Sequence, residues 1–577
     1  MSGPVQSDEA TSGRTVVLCF ADEGLGGTLE ERSTAEPSGT LTGVGPESVA
    51  DCLDSPDQDA AVGLLRRLNA LPDRDGHAFT ARVRYDGYEP WWFHQEAVFH
   101  RYLLPYTRYQ RLIMRLANAD RVVADNCPPD LSRLLRLTLD GRCDLRLRPS
   151  SRPSRLQRLR KRIARDGYRV ATLIAAALGR LRRPEALIYT IDILGRGRDC
   201  DPRIERLYRQ LENQRVSFVE ITWSVDPRRA LRNWWQRRRT CLYIQGYEDP
   251  VSPDCRLADG QPTGCAPMRL EDRLLMGLAT QVMLPAANVS VRLMERLERV
   301  VTSLGVQRAF FIDDYRHAYE LVVACRRCGI PTLGVQHGQF NPYSVGLMAY
   351  GFDAPQRHSF DRYWLWSSFF RDQLLRQSDL YSEEDVFVGG PAQVLDEPIA
   401  APAVAARRAT DPPVRVLWLA EQYALWLQRS EVTPYVARLI ADARVAVAIK
   451  LHPSQREMPY DLTSEGSEVP LLTGSLQAAV ADADVVVASY SSAVFEAILH
   501  HRPVVLLATS QSRDPHGLAD QGAALLAPRP DEIVETVLLA AATPTSVLLE
   551  RRRHIWGEGE QKPPEAEIRP APDFNLG

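Results

Sequence analysis

Two short stretches near the carboxyl end of this 577-residue chain hold the residue types that phosphate chemistry needs. One is Lys450-Leu451-His452-Pro453, directly after the apolar run 445–449. The other is Ser489-Tyr490-Ser491-Ser492, which separates the apolar run 483–488 from a helical pattern over 493–499. An ammonium and an imidazole at one turn, with hydroxyls and helix-opening N–H groups at the other, would cradle a nucleotide mono- or diphosphate. Ser491 or Ser492 would cap the helix. Lysine is scarce: of 70 basic residues only Lys161, Lys450 and Lys562 are lysines, so Lys450 suits a site that needs a compact ammonium rather than a planar fork. Pro453 stops the strand and aims His452.

A third stretch, Gln336-His337-Gly338-Gln339, follows the apolar run 332–335. An imidazole there could remove the proton of an attacking hydroxyl, with Gly338 letting backbone approach the ligand and Gln336 in support. Asp313 and Asp314, which end the preceding apolar run, are the rival base. They could instead orient His337 or cap the helix that begins near His317. Glu496 could reach a ribose or the following backbone, and Glu421 with Gln422 would face the same crevice. No Asp-x-Asp stands at a strand end as a metal mount, so neither metal nor cofactor is expected.

These turns need strands to carry them. Runs of strand type occur at 15–20, 121–125, 187–192, 217–222, 309–312, 332–335, 362–366, 386–388, 414–420, 445–450 and 483–488, with helical patterns between many of them. That alternation predicts an α/β protein with two tandem Rossmann-like domains facing across a cleft, with polar turns at the carboxyl ends of parallel strands. The expected division is a disordered tail over 1–13, an N-terminal acceptor domain over 14–394, a linker over 395–413, a donor-nucleotide domain over 414–545 and a tail over 546–577. Within the N-terminal domain fall a loose loop around 22–60, an aromatic helical stretch over 91–116 read as core, a basic helical segment over 142–183, and a helical insertion over 226–300. Two such domains suit a transferase, one holding an activated donor and the other an acceptor.

Composition bounds the function classes. A net charge of -3 and 45% hydrophobic residues describe a globular chain with no overall positive field for nucleic acid. No run of some eighteen apolar residues is evident, the amino end lacks the apolar core of a signal peptide, and ten scattered cysteines suit reduced thiols in the cytoplasm. Cys325-Arg326-Arg327-Cys328 has no second CxxC to complete a zinc site. Residues 152–183 crowd arginines around an apolar stretch too short to span a bilayer. They read either as a solvated helix face or as a peripheral contact with an anionic membrane at the inner face of the cell.

Three segments in this order, Thr332 to Gln339 (TLGVQHGQ), Ile449 to Pro453 (IKLHP) and Ala488 to Ala497 (ASYSSAVFEA), resemble the GT-B transferases of surface and capsular polysaccharide synthesis. Similar families are the CDP-glycerol glycerophosphotransferases, the capsule Kdo transferases and the bacterial sialyl- and polysialyltransferases. The resemblance covers residues 305–545. It implies metal-independent, inverting transfer of a sugar or glycerol phosphate from a CMP-, CDP- or UDP-linked donor to a glycan or lipid-linked acceptor. It also implies donor-phosphate contacts by His452, Ser491 and Ser492, and a base at His337 or, as in the sialyltransferases, at Asp313 or Asp314; Tyr315 stands where that group has glycine. Two other functions fit the same frame: a UDP-sugar 2-epimerase, and a non-catalytic subunit that binds a sugar nucleotide or glycan.

Overall fold

In the computed structural model, the described residues are 14–20, 27–33, 47–72, 76–149, 155–192, 194, 199–224, 227–237, 239–247, 269–312, 317–393, 412–420, 429–452, 455, 460, 469–472, 474–509, 514 and 516–557. Asp313, Asp314, Glu421, Gln422, Pro453, the 1–13 tail and all but Pro412 and Pro413 of the 395–413 linker lie outside them. The chain divides into two compact units, one of residues 1–162 and 253–288, the other of 163–252 and 289–577.

The first unit is built on five strands: β1 (Arg14–Phe20), β2 (Gly27–Ser33), β3 (Glu47–Ser48), β4 (Arg121–Cys127) and β5 (Asp144–Pro149), in the order β3-β2-β1-β4-β5. β1 pairs with β4 in parallel and with β2 antiparallel. The segment 22–60, read as loose loop, therefore contributes a full-length strand at β2 and the start of the helix Gln58–Asn69. Gly27-Thr-Leu-Glu-Glu-Arg-Ser33 alternates too little to signal a strand; its pairing with apolar β1 supplies the order. The aromatic stretch is core as read, with Trp91, Trp92, Phe99, Tyr106 and Tyr109 buried.

The second unit holds two all-parallel sheets. One has seven strands: β6 (Ala186–Ile191), β7 (Phe218–Trp223), β8 (Cys241–Tyr243), β9 (Arg308–Ile312), β10 (Thr332–Val335), β11 (Arg362–Leu365) and β12 (Val386–Val388), in the order β12-β11-β10-β9-β6-β7-β8. The other has six: β13 (Val414–Leu419), β14 (Val445–Lys450), β15 (Leu471–Leu472), β16 (Val485–Ala488), β17 (Val504–Leu507) and β18 (Leu525–Ala527), in the order β15-β14-β13-β16-β17-β18. Helices cover the faces, so β6, β16 and β17 are buried along their whole length and read as unbroken apolar runs. This is the expected α/β architecture of two Rossmann-like sheets. Residues 14–394 thus carry two sheets, one in each unit, where a single N-terminal domain is expected.

In both parallel sheets the chain builds outward one way, then returns beside its first strand and builds the other way. The reversals fall between β6 and β9 and between β13 and β16. Ligands of doubly wound sheets bind outside the carboxyl ends of strands at such points. The two sheets are joined by aromatic packing. Residues 546–577 read as a tail, yet a helix spans Thr545–Trp556 and packs against the helix Ser368–Gln377. Trp556 stacks on Trp366 at 5.8 Å and donates its indole N–H to the carbonyl of Phe495 at 2.9 Å, while Phe370 meets Phe495 at 5.0 Å.

The helical run Leu270–Leu304 is long and apolar enough on average to cross a membrane, although Thr280, Gln281, Asn288 and Ser290 interrupt its apolar residues. More than half of its apolar window is buried inside the protein, as in a core helix.

Candidate functional site

The His337 turn begins with Gln336, fully buried and spent on holding the turn in shape. Its N–H donates to the carbonyl of Trp364 at 3.0 Å, and its side-chain amide donates to the carbonyl of Gly338 at 2.8 Å. Its two oxygens accept from Trp366, the backbone N–H at 2.9 Å and the indole N–H at 2.8 Å. The end of β10 is thereby clamped to the end of β11. His337 and Gly338 project from that clamp, partly exposed. Among the described residues, a Cβ on Gly338 would meet no atom within 4 Å.

Asn341 completes the loop. Its side-chain oxygen accepts from the N–H of Tyr343 at 2.9 Å, closing a local turn, and its amide donates to the Tyr490 hydroxyl at 2.6 Å. The Gln339 amide donates to the Tyr490 carbonyl at 3.2 Å. Tyr490 is the second residue of the serine turn after β16. The loop after β10 of one sheet therefore touches the turn after β16 of the other, through groups at the carboxyl ends of both strands. Sequence reasoning missed Gln339, Asn341 and Tyr490 as a contact; the only signal was polar side chains clustered in both turns.

In the serine turn, Ser489 is buried, Ser491 half-buried and Ser492 exposed. The cap is not as expected. Ser492 is the residue before the helix Ala493–Leu499, but its backbone is already helical and its side chain caps nothing. The Ser491 hydroxyl instead accepts from the N–H of Ala493 at 3.3 Å. Glu496 lies in the first turn of that helix, partly buried.

Lys450 ends β14, and its carbonyl accepts from the N–H of Ala420 at the end of β13, at 2.9 Å. The carbonyl of His452 accepts from the N–H of Gln455 at 2.8 Å. Both Lys450 and His452 are partly exposed. Burial holds the His452 imidazole below its ordinary pKa, which favours the neutral ring until an anion arrives. Since β13 lies between β14 and β16, these two turns flank one strand end. Asp192, at the carboxyl end of β6, is taken up by structural contacts. It is fully buried and accepts from Arg237 at 2.7 Å and from Asn233 at 3.0 Å.

His516 went unread in the sequence. It is buried behind the serine turn, with its ring 5.6 Å from Tyr490 and 5.4 Å from Phe495. Burial pushes its pKa down to about 3, and burial with the nearby Arg326 does the same for His358. Both stay neutral in the fold while the unfolded chain takes up protons below its ordinary value of 6.5. Stability is therefore lost as pH falls from that value toward 3. By roughly pH 5.5 each site costs on the order of 1 kcal/mol. Denaturant unfolding followed at neutral pH and again near pH 5.5 should show a drop of about 2 kcal/mol from the pair. His100, which burial also pushes down to about 3, adds to the drop, so His516→Phe should remove about a third of the whole.

A cavity of about 440 Å³ lies elsewhere, lined by Arg182, Asp199, Glu212, Phe218 and Arg239. It opens at the amino ends of β6 and β7, the opposite end from His337, and Arg239 there is paired with Asp199 at 2.9 Å. Among the described residues no group of three or more His, Cys, Asp or Glu is arranged to hold a metal ion.

No family model matches the chain, and no curated protein is significantly similar to it. Solved structures that resemble it include glycosyltransferases and UDP-GlcNAc 2-epimerases. The glycosyltransferase of kitacinnamycin is 14% identical with a TM-score of 0.41, the match covering 66% of this chain and 96% of that one. The calicheamicin glycosyltransferase is 16% identical with a TM-score of 0.39, covering 65% and 94%. The UDP-GlcNAc 2-epimerase of Methanocaldococcus jannaschii is 12% identical, also at 0.39, covering 65% and 96%.

Proposed function

We propose that the second unit transfers a sugar, or glycerol phosphate, from a CMP-, CDP- or UDP-linked donor to a hydroxyl of a growing surface polysaccharide or lipid-linked glycan. The observation that supports this most is the contact of the His337 loop with the serine turn through Gln339, Asn341 and Tyr490. It supports a reading in which a base in the loop after β10 works with phosphate ligands in the turn after β16.

In the sugar case, His337 takes the acceptor hydroxyl proton as that oxygen bonds to the anomeric carbon from the face opposite the leaving group. The bond from that carbon to the phosphate oxygen breaks, inverting the centre. Charge growing on the nucleotide is met by Lys450, by His452 as it becomes protonated, and by the hydroxyls of Ser491 and Ser492. Asp313 and Asp314 remain the alternative base, and Glu496 and Glu421 alternative ribose contacts. We place the enzyme in the cytoplasm, at the inner face of the membrane where lipid-linked acceptors are extended.

The test is release of free nucleotide from a panel of CMP-, CDP- and UDP-linked donors, with and without acceptor glycan. Acceptor-dependent release that persists in EDTA is expected. Inversion of a UDP-sugar without acceptor would instead identify an epimerase, and binding without turnover a silent subunit. Lys450→Ala should weaken donor affinity about tenfold or more, since a hydrogen bond to a charged group contributes roughly 1.5–3 kcal/mol. Lys450→Arg should restore little of it if the compact ammonium is what the turn requires.

A further inference from the structure

The helix Arg155–Arg182 is held on one side only. On that side Thr172 exchanges hydrogen bonds with the backbone of Tyr243 at 3.0 and 3.1 Å, and Ala175, Ala176 and Gly179 are buried. A Cβ on Gly246 would lie 2.7 Å from the Thr172 hydroxyl, so this face sits as close to the sheet edge as backbone allows. The opposite face is apolar and open to solvent. Ile163, Val170, Leu173, Ile174, Leu178 and Leu181 recur at three- and four-residue steps or whole multiples of a turn, with Leu173 69% and Leu181 82% exposed. The helix carries nine basic residues against one acid, Asp166. Arg160, Arg162, Arg180 and Arg182, all exposed, project along the two borders of the stripe.

A second element repeats the pattern independently. The helix Pro227–Gln236 buries Ala230 and Asn233 and exposes Leu231, Trp234 and Trp235, the last by 78%, beside exposed Arg228, Arg229 and Arg232. It contains no acid. The two helices share one anchor: Tyr243 donates its hydroxyl to the Ala230 carbonyl at 2.9 Å, and its ring lies 5.3 Å from that of Tyr168.

We infer that these two helices together form a docking surface for an anionic lipid bilayer, lying in its headgroup region. The residue types choose the occupant. Exposed arginines bordering leucine and isoleucine meet both needs of an interface helix, anionic headgroups and an apolar layer a few ångströms deeper. Tryptophan beside arginine is the usual interfacial anchor. A solvated face would not expose such a continuous apolar stripe. The inference extends the membrane placement proposed above but stands apart from the transfer chemistry, so failure of either leaves the other intact.

The experiment is sedimentation of the full chain with vesicles of phosphatidylcholine alone and of phosphatidylcholine mixed equally with phosphatidylglycerol. Binding to the mixed vesicles, absent from the neutral ones and weakened by salt, is expected. Leu173→Glu with Leu181→Glu should weaken partitioning about tenfold or more, and Arg180→Glu with Arg182→Glu should do so by a similar factor, at roughly fivefold per basic charge lost. Trp235→Ala should weaken it independently. All five positions are exposed, and an unchanged thermal unfolding midpoint of the variants would show that the fold is kept. No binding to either vesicle would overturn the inference, as would equal binding by wild type and variants. So would a dimer in size-exclusion chromatography that the Leu173→Glu, Leu181→Glu pair dissolves without vesicle binding, since the stripe would then belong to a second copy.

Discussion

Replacing His337 by alanine is expected to lower the rate of transfer by about 10²–10⁴-fold, the range that a positioned general base contributes. Donor affinity should stay within about twofold, because the proposed phosphate ligands sit on the other sheet. The same reasoning separates His337→Ala from Gln336→Ala. Gln336 is buried and makes four hydrogen bonds, three of them to Trp364 and Trp366, so its loss should lower stability as well as rate. His337, next to it, is partly exposed and should affect rate alone. A His337→Ala enzyme of full activity would move the base to the segment of Asp313 and Asp314. A loss of rate accompanied by early unfolding would make His337 a structural residue.

Gly334→Ala should destabilise the second unit by about 3 kcal/mol. The added Cβ would fall 2.1 Å from Cδ2 of Phe360 and 2.5 Å from Cε2. Phe360 has little freedom to retreat, being buried with Phe311 at 5.4 Å and Tyr363 at 5.5 Å. Because Gly334 lies on β10, three residues before His337, strain there should also displace the His337 turn. Gly338→Ala is the contrasting case: with nothing among the described residues within 4 Å of its Cβ, the fold should be untouched and any effect should appear in substrate binding. Guanidinium unfolding of the two variants distinguishes them. A cost below about 1 kcal/mol for Gly334→Ala would mean that the ring yields.

Much of the second unit is legible in the sequence because its sheets are parallel and covered on both faces. Strands such as Val485–Ala488 and Val504–Leu507 must then be apolar throughout, and such runs are hard to miss. The turns that follow them stand out by contrast, which is how His337, Lys450, His452 and the serines came to notice. What stayed hidden depends on partners distant in the chain. Tyr490 looks like a bystander among serines until Asn341, 149 residues away, is found on its hydroxyl. His516 looks like a loop histidine until the ring is seen behind Tyr490. The helix Thr545–Trp556 carries a weak apolar face, and only its packing on Trp366 and Phe495 shows why it is ordered. β2 is ordered by its neighbour and not by its own composition. Ser492 shows the opposite failure. Its type and place fit a helix cap, but the backbone there has already turned helical, leaving the hydroxyl free to face outward.

Isothermal titration of the full chain with CMP, CDP and UDP tests the proposed donor site most directly. One of the three should bind, Ser491→Ala and His452→Ala should each weaken it about tenfold or more, and His337→Ala should leave its Kd unchanged. Absence of binding by all three, or undiminished binding by the Ser491 and His452 variants, would contradict a phosphate site at the carboxyl ends of β14 and β16.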